Sequence, residues 1–126
     1  MDWVSSKVHK GDQSARKIGF PTANLDPHII EESYRLGIYG GFVKIDHRQF
    51  LGIFYFGPNY LKNSLDNIFE VHILDFDANL YDQIIEVKLI KFIREPEKFN
   101  SIDEATKKIE EDVKILRNLV LETGFA

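Results

Sequence analysis

Thr22 and Asn24 stand two residues apart in Gly19-Phe20-Pro21-Thr22-Ala23-Asn24. In an extended segment, residues at that spacing point the same way. Pro21 fixes its own φ and pushes Phe20 away from helical backbone. The outcome is a stiff, non-helical turn that sets a hydroxyl beside a carboxamide oxygen. Neutral hard oxygens suit Mg2+ and the phosphates it carries. The same residues also fit a plain helix N-cap, and local physics alone favours that reading because such caps are common.

Glu70 is the second candidate. It interrupts Ile68-Phe69-Glu70-Val71-His72-Ile73-Leu74-Asp75-Phe76, a run that is otherwise mostly apolar. A carboxylate is costly to bury there unless it is paired or used. It either points outward from a half-exposed strand or serves a site, and its strand alone leaves both open. Arg94-Glu95-Pro96-Glu97-Lys98-Phe99 reads as a polar connector broken by Pro96. Lys10, Arg16 and Lys17 give the loop 10–17 a basic character that fits phosphate contacts or plain solvation. His9, His28, His47 and His72 lack metal-ligand spacing, and neither a Walker A loop nor Gly-x-Gly-x-x-Gly occurs.

The elements that must position these residues are mostly strands. Apolar alternation and β-branched content predict strands at 3–9, 38–45, 49–56, 68–76 and 84–93. Ile85, Val87, Leu89 and Ile93 are expected on one face of the last strand. Asp46-His47-Arg48 reads as a hairpin turn, Gly57-Pro58-Asn59 as a break, and 62–67 and 25–36 as irregular. The period then changes. Ser101 and Glu104 form a capping-box pattern, and Ile102, Ala105, Ile109, Val113, Leu116 and Val120 follow at helical spacing until Gly124. Short strands joined by hairpin-length turns favour an antiparallel barrel or sandwich, with the amphipathic helix covering an open side.

At 126 residues the chain is expected to be one domain, with a barrel over about 3–95 and a helix over about 101–120. The absence of cysteine excludes disulfides and thiolate metal sites. A net charge of −4 gives a nucleic-acid partner no support. The apolar runs are too short to span a bilayer as helices, and no basic-then-apolar leader follows Met1. A cytoplasmic monomer, with neither membrane nor nucleic acid as partner, is the expectation.

Gly19–Asn24 resembles the signature of the riboflavin kinase (flavokinase) family. The Glu70 strand followed by Leu80-Tyr81, the Gly37-Ile38-Tyr39 strand opening, the Arg94–Phe99 connector and the helix resemble family features in the same order. The resemblance implies a six-stranded antiparallel Greek-key β-barrel with a C-terminal helix. It also implies transfer of the γ-phosphate of ATP to the 5′-hydroxyl of riboflavin, giving FMN and ADP. Glu70 would be the general base, and Thr22 and Asn24 would hold Mg2+ with ATP. Gly11, Arg16, Lys17, Gly19 and Pro21 would lie on the nucleotide side, and Arg94 and Phe99 on the flavin side. The chain departs from the family pattern in two places. Gln13 and Ala15 replace glycines before the signature, and Tyr55 and Asn59 replace an asparagine and a threonine after the second hairpin strand, which makes a catalytically impaired flavin- or nucleotide-binding module on the same barrel the alternative. Many bacterial members carry an adenylyltransferase module before this domain, and these residues contain none.

Overall fold

The computed structural model describes residues 1–9, 22–30, 33–59 and 64–124. Gly11, Gln13, Ala15, Arg16, Lys17, Gly19, Phe20 and Pro21 lie outside the described residues. Strand β1 is Val4–Lys7, β2 is Ala23–Leu25, β3 is Gly37–Ile45, β4 is Arg48–Asn59, β5 is Ser64–Ile73 and β6 is Ile84–Arg94. A 3₁₀ turn at Pro27–Ile29 and one helix, α1 (Ile102–Thr123), complete the described elements.

The β3–β4 hairpin is set by its turn. Asp46 and His47 have φ of 48° and 66°, and Ile45 pairs with Arg48 across them. Two consecutive positive φ values make a primed turn whose twist matches that of the flanking strands. Strand β5 then pairs with β4, and β6 crosses back to pair with β3. Three consecutive neighbours and a fourth strand returning beside the first form a Greek key. Strands β1 and β2 extend the two ends, so the order is β1-β6-β3-β4-β5-β2, antiparallel throughout. Just past β1, the His9 amide donates to the Asn24 carbonyl at 2.8 Å, which brings the two ends together. The sheet is thus a nearly closed six-stranded barrel, as the resemblance implies.

Alternation fills the barrel. Phe54, Phe69, Val71, Ile85 and Val87 are fully buried inside, with Phe54 and Phe69 stacked at 5.7 Å. Each such side chain contributes roughly 1.5–3 kcal/mol by leaving water. The expected face of β6 holds through Leu89 and then fails. Gly41 pairs with Leu89 but Gly40 with Lys91, and Tyr39 pairs with Phe92 but Ile38 with Arg94. An extra residue on one strand flips the alternation. Phe92 therefore joins the inner cluster, while Ile93 packs in an outer one with Ile38, Ile53, Leu74 and Leu116.

That outer cluster is where α1 lies. A Cβ on Gly40 would sit 2.6 Å from Leu116 Cδ1, so the missing side chain lets the helix approach the sheet. The helix covers the outer face over β3 and β4 rather than the open side expected from sequence. The apolar outward residues Ile38, Leu51 and Ile53 make that face the one to cover. Ser101 caps α1 by accepting from the Glu104 amide at 3.1 Å, and Gly124 ends it at φ 73°. The break expected at Gly57-Pro58-Asn59 takes the form of a register shift between Pro58 and Asn59, and β4 itself continues through Asn59. Strand β3 begins at Gly37, opposite Phe56, so past Phe56 β4 has a partner on one side, where proline is tolerated. Strand β5 begins at Ser64, inside the polar loop expected at 62–67.

Candidate active site

Cross-strand register brings the candidate residues into one row. Asn24 pairs with Glu70, Glu70 with Tyr55, Tyr55 with Ile38, and Ile38 with Arg94. Residues directly opposite in antiparallel strands share a face. The sequence neighbours of Glu70, Phe69 and Val71, point into the barrel core, so the row runs across the outer face. Adjacent strands are about 4.8 Å apart, which puts Arg94 about 14 Å from Glu70 along the sheet.

The short strand β2 places the signature residues. Thr22 donates through Oγ1 to Glu70 Oε2 at 3.2 Å, and Asn24 sits directly across from the same carboxylate. Thr22, Asn24 and Glu70 are all half-buried. A carboxylate held by a hydroxyl keeps a defined orientation. The helix-cap alternative does not hold, because neither Thr22 nor Asn24 starts a helix. Asp26 instead caps the 3₁₀ turn, accepting from the His28 amide at 2.9 Å. That backbone hydrogen bond, followed by the His28 side chain, holds the Asp26 carboxyl below the usual carboxylate range. The Asp26 amide in turn donates to Ser6 Oγ at 3.1 Å, tying the end of β2 to β1.

Tyr55 stands beside Glu70 in the row. Its ring packs on the outer cluster beneath α1, and its hydroxyl donates to the Pro58 carbonyl. The bulk expected near a ligand cleft is therefore seated against the helix-side cluster while remaining next to the carboxylate.

At the far end of the row, Arg94 turns to the helix. Its Nε donates to Asp112 Oδ1 at 2.9 Å, and a terminal nitrogen donates to Oδ2 at 2.8 Å. The side chains are 16% and 1% exposed, which makes this a two-pronged, largely buried ion pair. The other terminal nitrogen reaches the Glu95 carbonyl at 3.5 Å and Glu97 at 3.9 Å. Phe99 lies with its ring centroid 5.8 Å from the guanidinium. Next to this corner, Arg35 lies 3.9 Å over the Phe92 ring and reaches Glu95 at 3.3 Å. Gly37 completes it, because a Cβ there would fall 2.2 Å from the Arg94 carbonyl oxygen.

A family model described as riboflavin kinase matches residues 3–120. The chain belongs to the riboflavin kinase family. The RNA-binding riboflavin kinase RibR of Bacillus subtilis is 34% identical over 114 residues, covering 90% of this chain and 49% of that protein. A bifunctional riboflavin kinase/FMN adenylyltransferase of Haemophilus influenzae is 35% identical over 111 residues, covering 87% of this chain and 36% of that protein. The chain thus spans about half or less of these relatives. Among solved structures, riboflavin kinase from Trypanosoma brucei superposes with a TM-score of 0.68 at 20% identity, covering 97% of this chain and 81% of that one. A protein from Streptococcus pneumoniae described as a macrolide-efflux protein superposes with a TM-score of 0.78 at 29% identity, covering 92% of this chain and 38% of that one.

Sequence reasoning passed over Asp112. The signal was present, since Asp112 falls between Ile109 and Leu116 on the apolar stripe of the riboflavin kinase helix. Its partner lies 18 residues away on another element, beyond the reach of local pattern.

Proposed function

We propose that this chain is an ATP:riboflavin 5′-phosphotransferase acting in the cytoplasm as a monomer. The observation that carries the reading is the contact of Thr22 with Glu70, with Asn24 across from the same carboxylate. Glu70 is the general base. It accepts the proton of the ribityl 5′-hydroxyl as that oxygen bonds to the γ-phosphorus. The bond from the γ-phosphorus to the bridging oxygen breaks, and ADP leaves. Such a reaction asks the protein mainly for positioning and charge stabilisation.

The donor set suits a cation carried in on the nucleotide. Among the described residues there is no group of three or more His, Cys, Asp or Glu able to hold a metal ion. Mg2+ is usually held by few protein ligands together with substrate phosphates, and the oxygens of Thr22 and Asn24 fit that role. The ion would neutralise charge on the phosphates. Gly11, Arg16, Lys17, Gly19 and Pro21 belong to the nucleotide side by family resemblance, and Arg94 and Phe99 to the flavin side.

The test is FMN formation from riboflavin and Mg-ATP. Glu70→Gln keeps size and hydrogen-bonding capacity but cannot take a proton, so turnover should fall about 10²–10⁴-fold with melting unchanged. Near-normal FMN formation by that variant would remove Glu70 from the mechanism.

A further inference from the structure

We propose that Asp112 is a positioning residue for the flavin-side wall. This rests on the reading of the chain as a riboflavin kinase. Arg94 ends β6 and opens the connector that carries Phe99. Its guanidinium spends Nε and one terminal nitrogen on Asp112, at 2.9 and 2.8 Å. Two bonds to one carboxylate fix the guanidinium plane as well as its place. The remaining edge faces the Glu95 carbonyl and the Glu97 carboxylate, and the Phe99 ring lies against the group. Asp112 therefore acts on connector residues 95–99 through Arg94. It cannot touch a ligand itself, being 1% exposed beneath the helix.

The placement explains why a charge lies on the apolar stripe of α1. Leu116, one turn on, fits over Gly40, while Asp112 reaches the end of β6. Helix docking and connector geometry are thereby linked through one ion pair. Arg94 fixes the base of the wall, and Phe99 offers a ring face for a flat ligand.

The experiment compares the full chain with Asp112→Asn and with the double variant Arg94→Met/Asp112→Leu. The double variant removes both charges together and so leaves no unpaired buried charge to unfold the protein. The readouts are melting temperature and separate KM values for riboflavin and Mg-ATP. A folded double variant is expected to show a riboflavin KM raised at least tenfold, with the Mg-ATP KM within twofold of wild type. Asp112→Glu, which restores the charge, should recover part of the riboflavin KM. If the double variant folds and leaves the riboflavin KM unchanged, or raises both KM values equally, the assignment is overturned. A double variant that does not fold would mark the pair as essential to the fold, and the assignment then stands or falls on the KM values of Asp112→Asn. Wild-type protein that forms no FMN overturns the proposed function and this assignment with it.

Discussion

As the proposed general base, Glu70 must be ionised to accept a proton and oriented to accept it from one direction. The Thr22 hydroxyl serves the second need by donating to one carboxylate oxygen at 3.2 Å. Thr22→Val keeps the volume and removes the donor. Its kcat for FMN formation should fall about tenfold or more while thermal stability changes by no more than about 1 kcal/mol, the usual worth of one hydrogen bond. Steady-state kinetics with Mg-ATP and riboflavin varied separately would check this, and an unchanged kcat and Mg-ATP KM would show the hydroxyl to be idle. At this scale residue type and spacing left Thr22 and Asn24 open between a helix cap and an oxygen pair, and Glu70 between an outward strand position and a site; the family resemblance chose among them. The sequence could not say which way Arg94 turns. A guanidinium suits a flat ligand and a buried carboxylate alike, and the carboxylate that orients this one, Asp112, lies on another element.

Elements were legible where their own pattern decides them. The β3–β4 hairpin, the strand bearing Glu70 and helix α1 follow from alternation, turn chemistry and a cap. Strand β2 was hidden because three residues carry no period. Pairing with β5 makes it a strand. The late part of β6 was misread because its bulges change the face without changing composition. The Asp26 turn just after β2 gives a pH-dependent test. Asp26 has a lowered folded-state pKa, so its contribution is present above the ordinary carboxylate range and lost as pH falls through the lowered value. The difference in melting temperature between wild type and Asp26→Ala should hold near neutrality and shrink below about pH 4. A difference that stays constant to pH 2 would mean the carboxylate contributes nothing as a charge. At the other end of the chain, Ser101→Ala removes the cap of α1 and should cost about 1 kcal/mol by urea unfolding.

For the molecule as a whole, the row of candidate residues exists because the barrel is closed to register. Arg94 and Asn24 are far apart in sequence and meet on one face through β3, β4 and β5. No local pattern contains that row, although each strand in it was predictable. Its precision depends on the packed interior beneath. Phe54 is fully buried between β3 and β5 and stacks on Phe69, the neighbour of Glu70. Phe54→Ala should cost about 3–5 kcal/mol in denaturant unfolding. A loss below about 1 kcal/mol would show that the barrel collapses readily around the gap.

The bond from the His9 amide to the Asn24 carbonyl joins the two ends of the sheet at the residue proposed to face the nucleotide. That amide is a built-in gauge of the seam. Its hydrogen-exchange rate reports local opening there, a looser event than unfolding of the core strands. Mg-ATP bound at Asn24 should slow deuterium uptake at His9 while leaving Val43 in β3 unchanged. Occupancy of the site would then be read without any turnover, from one amide proton just past β1.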